Sequence, residues 1–159
     1  MCDELCGPAL AAWLAQGTGG TACRLRAWER ARNRVLLLPA GVRWDAVRVP
    51  ERPGHEIHAR LQDSAAPLGP VMWDRRCGFL YFLVPPHGED VWAPLGLRRL
   101  TRGSWLAARD PRRAAPHPAV WLYPRDGVRL TCPAFLLIAC MEVLAADTGA
   151  RRRLPVPLR

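Results

Sequence analysis

The chain has 159 residues, half of them hydrophobic, and a formal net charge of +9. This length fits one domain, and the apolar content excludes a disordered chain, which would be too poor in apolar groups to offset its conformational entropy. The basic residues are all arginine, which is typical of a GC-rich coding sequence, and their charge favours anionic partners.

Cysteines and apolar runs bear on the cellular compartment. None of the six cysteines pairs with another at the two-residue spacing of a zinc knuckle or redox motif, and Cys140, within an apolar run, is predicted to be buried. No apolar run approaches the roughly 20 residues that a membrane-spanning helix needs. Asp3 and Glu4 stand where a signal peptide would carry basic residues. We predict a cytoplasmic protein with free thiols, no membrane contact and no cofactor.

The first predicted elements are two helices. One spans residues 8–15 and ends at a glycine-rich stretch, and the other spans 22–33, with Thr21 as its N-cap. The continuous apolar run over 35–38 is typical of a buried strand. A second strand over 44–49 is predicted to place Trp44, Ala46 and Arg48 on one face and Asp45, Val47 and Val49 on the other.

The rest of the chain completes the predicted sheet. The expected elements are, in order, a helix over 55–62, a hairpin of strands over 71–73 and 78–84, a helical piece over 89–95, strands over 104–108 and 120–123, and a helix over 134–146. This last helix is apolar nearly all round, which indicates packing inside the fold. We predict an α+β domain over 1–150, with a mixed or antiparallel sheet flanked by helices, and a basic Pro/Arg tail over 151–159.

A few side chains are candidates for chemistry. His55 and His58 are three residues apart, so one helix face presents both; a metal site would need a third ligand, and two surface histidines are the preferred interpretation. Cys77 follows two arginines, which can lower a thiol pKa, although a structural cysteine is the simpler interpretation. Among the seven tryptophans, Trp92 and Trp105 are predicted to be the exposed ones.

Six short motifs follow one another along the chain. They are VLLLPAG at 35–41, RWDAV at 43–47, CGFLYFLVP at 77–85, GSWLA at 103–107, VWLYP at 120–124 and LTCP at 130–133. In order and spacing the pattern resembles the N-terminal domain of bacterial bifunctional primase–polymerases, a branch of the archaeo-eukaryotic primase superfamily, and above all its short stand-alone versions. The resemblance covers about residues 20–147 and implies a primase–polymerase-like fold.

The resemblance fails at the positions that carry polymerase chemistry. In that family, one strand ends in an acid-x-acid pair that holds two divalent metals, and a histidine after a glycine contacts the incoming triphosphate. The matching strand here ends Val49-Pro50-Glu51, and Phe79 stands at the histidine position. A phenyl ring neither binds phosphate nor transfers a proton, so we expect a degenerate active site without polymerase activity.

Two main interpretations follow, with a third beside them. The first is a degenerate primase-like module that binds nucleotide or nucleic acid through an arginine-rich surface. The second is a repurposed small-molecule enzyme of specialised metabolism with an apolar, tryptophan-lined cleft. The third is a protein-interaction module with an exposed Trp and Arg patch. The residues expected for the first are Arg43, Arg48, Arg75, Arg76 and Arg102, and the catalytic candidates for the second are Asp45, His87 and Cys77. An arginine-lined groove favours the first, and a deep apolar pocket containing one of those catalytic candidates favours the second.

Overall fold

The computed structural model describes residues 3–16, 20–113, 118–122 and 128–152, and within these ranges it contains four α-helices and seven β-strands. The helices are α1 (Asp3–Ala15), α2 (Thr21–Arg30), α3 (Glu51–Asp63) and α4 (Pro133–Arg152). The strands are β1 (Val35–Pro39), β2 (Asp45–Pro50), β3 (Val71–Asp74), β4 (Phe79–Val84), β5 (Arg98–Leu100), β6 (Trp105–Arg109) and β7 (Ala119–Leu122). Two 3-10 turns, Arg32–Arg34 and Ala93–Leu95, lie between them.

The strands form two antiparallel sheets. Five of them lie in the order β5-β2-β4-β3-β7, and β1 pairs with β6 in a separate two-stranded sheet. Each pairing in the larger sheet is antiparallel as well. The α+β class with an antiparallel sheet flanked by helices is therefore confirmed.

The two faces of the larger sheet carry separate cores. Side chains alternate along a strand, so Ala46 and Leu83 face the layer built from α1, α2 and the small sheet. Val47 and Phe82 point the other way, into the core beneath α3 and α4. The predicted division of the second strand between two faces is confirmed. The fold thus has three layers, with the larger sheet in the middle.

Two tryptophans fasten the small sheet to its neighbours. Trp28 of α2 donates its indole N–H to the carbonyl oxygen of Ala108 at 3.0 Å. Trp121 of β7 donates its indole N–H to the carbonyl oxygen of Arg109 at 2.9 Å. Both bonds are buried, and each satisfies a polar atom that burial would otherwise leave without a partner. The β6 strand is therefore held from both sides.

Several local expectations were wrong. The run over 35–38 is a strand, but Leu37 is 64% exposed because the small sheet has no layer over its outer side. The second helix ends at Arg30 because the next residue, Ala31, has an extended backbone with φ −64° and ψ 136°. The β5 strand was not predicted at all. Trp92 is buried, at 1% exposure, whereas Trp105 is exposed as expected.

The last helix differs in length and in burial. It reaches Arg152, so the first two residues of the predicted tail are helical, and residues 153–159 lie outside the described part of the chain. Its inner side is packed, but Phe135, Ile138 and Met141 are about half exposed, which corrects the expectation that the whole helix lies inside the fold. No helix among the described residues is long and apolar enough to cross a membrane.

Candidate functional site

A polar groove lies over the part of the larger sheet that the small sheet leaves open. Its floor is a row of side chains in register: Arg48 of β2 is opposite Arg98 of β5 on one side and opposite Tyr81 of β4 on the other. Residues opposite each other in an antiparallel pair point to the same face. The sheet register alone therefore places two guanidinium groups and a phenol side by side.

The walls of the groove come from a turn and a strand end. Asp74 and Cys77 belong to the β3–β4 turn, and Ser104 and Trp105 lie at the start of β6. The groove has a volume of about 510 Å³. The Trp105 residue is 58% exposed, so an aromatic face at this wall is accessible from solvent. A cavity of this size accommodates a small molecule or a few units of a polymer.

The two floor arginines differ from the three arginines that form salt bridges among the described residues. Neither Arg48 nor Arg98 forms a salt bridge within the described part of the chain, whereas Arg60, Arg99 and Arg112 each do. The Arg48 guanidinium carbon lies 4.3 Å from the centroid of the Phe79 ring, a contact that orients the group without neutralising it. The floor therefore carries two positive charges without a salt-bridge partner.

Tyr81 supplies a hydrogen-bond donor beside those charges. Burial is the main cause that raises the pKa of the Tyr81 phenol, and the Asp74 carboxylate raises it further, while Arg48 opposes the shift. A phenol with a raised pKa keeps its proton at neutral pH. Its O–H group is therefore a donor for an anionic ligand and is not poised as a base.

Cys77 is exposed in the turn but is not activated. Its thiol donates a hydrogen bond to Asp74, and this bond, followed by the charge of that carboxylate, raises the thiol pKa; the nearby Arg76 and Arg48 oppose the shift without reversing it. Asp74 also accepts the backbone N–H groups of Arg76 and Cys77 at 3.0 and 3.2 Å. In this geometry the neighbouring arginines do not bring the thiol pKa below its usual value, and the carboxylate instead fixes the turn.

The structure disperses the five arginines predicted from the sequence. Arg48 lines the groove, while Arg102 and Arg76 are exposed residues adjacent in sequence to the lining residues Gly103 and Cys77. Arg75 is also in the turn, but its guanidinium carbon lies 4.4 Å from the ring centroid of Trp73.

Arg43 is the outlier among the predicted arginines. It donates hydrogen bonds to the backbone oxygen of Trp13 and the side chain of Gln16, and its guanidinium lies over the Trp13 ring. It therefore fastens the β1–β2 loop to α1 and does not belong to the groove.

The catalytic candidates of the second interpretation do not converge. Asp45 is 1% exposed and ion-paired with Arg99 at 2.8 Å. His87 is an exposed loop residue with a left-handed backbone, φ 64°. A second cavity, of about 340 Å³ and mostly apolar, is lined by Trp92, but neither Asp45, His87 nor Cys77 lines it. An apolar cleft is present, without the acid, base or nucleophile expected there.

The two histidines have different environments. His58 is buried, which corrects its interpretation as a surface residue, and His55 packs edge-on against Trp73 with ring centroids 4.4 Å apart. Burial, and then the neighbouring His55, lower the pKa of His58. Among the described residues there is no group of three or more His, Cys, Asp or Glu placed to hold a metal ion.

Sequence reasoning missed most of the residues that build the groove. Arg98 lies in the unpredicted β5, where the order Leu-Arg-Arg-Leu hides the alternation of a strand. Tyr81 and Trp105 lie in predicted strands, but the sequence does not display the strand arrangement that brings both to the groove of Arg48 and Arg98. The cross-strand register is the decisive information, and only the folded chain provides it.

Comparison with protein-family models, curated proteins and solved structures yields no match for this chain. The geometry of the groove and the physical chemistry of its side chains are therefore the basis for a proposed function.

Proposed function

We propose that this protein binds a nucleotide or a nucleic acid in the arginine-lined groove and that it is a degenerate relative of primase–polymerase domains. The single observation that carries the proposal is the row Arg98, Arg48 and Tyr81, in which two guanidinium groups without a salt-bridge partner among the described residues lie beside a protonated phenol. Guanidinium groups form paired, charge-assisted hydrogen bonds with phosphate oxygens. An anionic ligand also agrees with the net charge of +9.

The presence of Trp105 favours a ligand that contains a nucleobase, compared with phosphate alone. Trp105 is exposed and lines the same groove as the arginine row. Every nucleobase offers a π-face, so a surface aromatic residue beside cationic groups is a common platform for single strands and nucleotides. The proposal therefore assigns the phosphate to the floor and the base to the wall at Trp105.

The carboxylates available in the groove support binding of the ligand but not nucleotidyl transfer. Two metal ions close together need several carboxylates to offset their charge. The carboxylate that lines the groove is Asp74, which is already engaged by two backbone N–H groups of its own turn. Asp45 lies on the opposite face of the sheet and is bound to Arg99.

We also propose a cytoplasmic location. Cys23, Cys77, Cys132 and Cys140 are free thiols. Unpaired cysteines agree with a reducing compartment.

The test is a binding series with the purified chain. Fluorescence anisotropy would compare a labelled single-stranded oligonucleotide, a duplex of the same length and labelled nucleoside triphosphates, with inorganic polyphosphate as a competitor that has charge but no base. Arg48→Ala and Arg98→Ala are expected to weaken binding of all these ligands. Trp105→Ala is expected to weaken the base-containing ligands by about 5- to 150-fold, corresponding to about 1–3 kcal/mol for one stacked base, and to leave the polyphosphate unaffected.

Arg60→Ala is the matched control, because it removes the same charge from α3, on the opposite face of the sheet. It is expected to leave all affinities within about twofold, since an exposed ion pair contributes little. No binding at low salt would overturn the proposal, and so would equal losses in the Arg60 and Arg48 variants.

A further inference from the structure

The second cavity combines an apolar interior with an acidic mouth. Trp92, Pro85, Pro86 and Leu137 contribute to its lining, together with Glu89, whose side chain is exposed. The Glu89 carboxylate forms no salt bridge within the described ranges, and the exposed Asp90 follows it in the chain. Glu89 and Asp90 therefore form a locally negative patch beside the apolar cavity, in a protein whose net charge is +9.

The cavity wall is held in place by the buried ion pair beside it. Arg99 donates to the backbone oxygens of Glu89 at 2.8 Å and of Pro85 at 3.0 Å, while Asp45 neutralises its charge. Gly88 packs directly on the guanidinium, because an added Cβ there would lie 2.9 Å from its Nη1 atom. A cavity whose wall is fixed in this way is largely preformed, which lowers the entropic cost of binding.

The chain itself contains a segment with complementary chemistry. Residues 153–159 read Arg-Leu-Pro-Val-Pro-Leu-Arg, so two prolines and three aliphatic side chains are flanked by arginines. Prolines at alternate positions favour the extended polyproline II conformation. Grooves that recognise such segments are lined by aromatic side chains, and nearby acids add charge complementarity to flanking arginines.

The segment does not reach the cavity of its own chain. The lining residue Leu137 and the helix end Arg152 are 15 positions apart on α4, which corresponds to about 22 Å at 1.5 Å per residue. The apolar part of the segment begins at Leu154, two residues after Arg152, and from Arg152 to Pro155 the chain spans at most about 11 Å even when fully extended, so the segment as a whole does not fit into the cavity of its own chain. A second copy of the chain faces no such limit.

We propose that the cavity beside Trp92 binds the Leu154–Leu158 segment of a second copy of this chain. The prolines and leucines of the segment occupy the apolar interior, and a flanking arginine pairs with Glu89 at the mouth. The contact joins two different surfaces, so copies associate head to tail and the assembly grows with concentration. This site is independent of the arginine-lined groove.

The experiment uses the full chain and a labelled peptide of residues 151–159. Fluorescence anisotropy measures peptide binding to the wild-type protein, to Ala134→Trp, which fills the cavity from its exposed rim on α4, and to Glu89→Arg, which reverses the charge at the mouth. Ala145→Trp is the matched control, because it places the same side chain at an exposed position further along the same helix. Sedimentation velocity follows self-association of the same proteins.

The expected result is peptide binding that falls at least about tenfold in Ala134→Trp and up to about fivefold in Glu89→Arg, the latter as for an exposed ion pair. The Ala145→Trp variant retains wild-type affinity, and a peptide of the same composition with its prolines adjacent binds weakly. Self-association weakens in the same two variants. If Ala134→Trp does not fold, the Glu89→Arg comparison decides. Absence of binding to the wild-type protein overturns the proposal, as does equal binding by wild type and the cavity variants.

Discussion

Replacing Arg99 with methionine tests the buried Arg99–Asp45 ion pair between the edge strand β5 and its neighbour β2. Both the Nε and Nη2 atoms of Arg99 lie 2.8 Å from Oδ2 of Asp45, and the two side chains are 4% and 1% exposed. The other carboxylate oxygen, Oδ1, has no hydrogen-bond partner. Without Arg99, the Asp45 carboxylate would be left buried and unpaired.

The expected destabilisation is large. Removing one partner of a buried pair costs about 3–5 kcal/mol, because the remaining charge keeps its desolvation penalty. For a chain of this size each kcal/mol lowers Tm by about 2–4 °C, so Arg99→Met should lower Tm by about 6–20 °C. The double variant Asp45→Val with Arg99→Met removes both charges, and it should recover at least about 2 kcal/mol of that loss.

Urea unfolding followed by tryptophan fluorescence measures these free energies. Arg98→Met is the matched control, since it makes the same substitution at the neighbouring exposed position of β5 and should change stability by no more than about 0.5 kcal/mol. If Arg99→Met costs less than about 1 kcal/mol, or no more than Arg98→Met, the buried pair does not have the structural role described here.

Three further predictions concern the backbone and the buried titratable groups. In urea unfolding, Gly41→Ala should destabilise the fold by about 1–3 kcal/mol more than Gly96→Ala. Both glycines have a positive φ, but a Cβ at Gly41 would lie 2.2 Å from a backbone nitrogen, whereas a Cβ at Gly96 would meet open space. Burial lowers the pKa of His58 below its usual 6.5, so unfolding takes up a proton and the free energy of unfolding should fall as the pH drops below 6.5. In a His58→Leu variant the free energy of unfolding should depend less on pH between about pH 7.5 and pH 5. An equal pH dependence in the variant and the wild type would contradict this. Burial raises the pKa of Cys140 to about 12, so iodoacetamide at about pH 8 should modify exposed Cys23 in the native protein but Cys140 only after unfolding, as read by peptide mass spectrometry.

Local patterns in this chain were sufficient to predict most elements. The hairpin of β3 and β4 and the facing of β2 follow from alternation between two buried faces, and this signal survives because each face meets its own core. The apolar pattern wrongly predicted burial for residues on the outer sides of the layers. A continuous apolar run suggested burial for Leu37, and an apolar helix suggested burial for Ile138, yet each lies on the outer side of its layer.

The candidate site was much harder to predict because it is a property of strand order. Arg48 was identified from its basic character, but Arg98 lies in a three-residue edge strand that gives no periodic signal. The sequence predicts that Trp105 is exposed, but its place in the same groove as Tyr81 depends on how the small sheet packs over the larger one. Composition predicted the charge of the surface, and only cross-strand register brings the charges together.

The most direct test of the account is the salt dependence of oligonucleotide binding by the Arg48→Ala/Arg98→Ala double variant. Each phosphate contact contributes about 0.7 to the slope of log affinity against log salt for a single strand, so losing two contacts should flatten the slope by about 1.4. The Arg60→Ala control should keep the wild-type slope. If the double variant also keeps that slope, or if the wild-type chain does not bind oligonucleotide at low salt, the groove is not a nucleic-acid site.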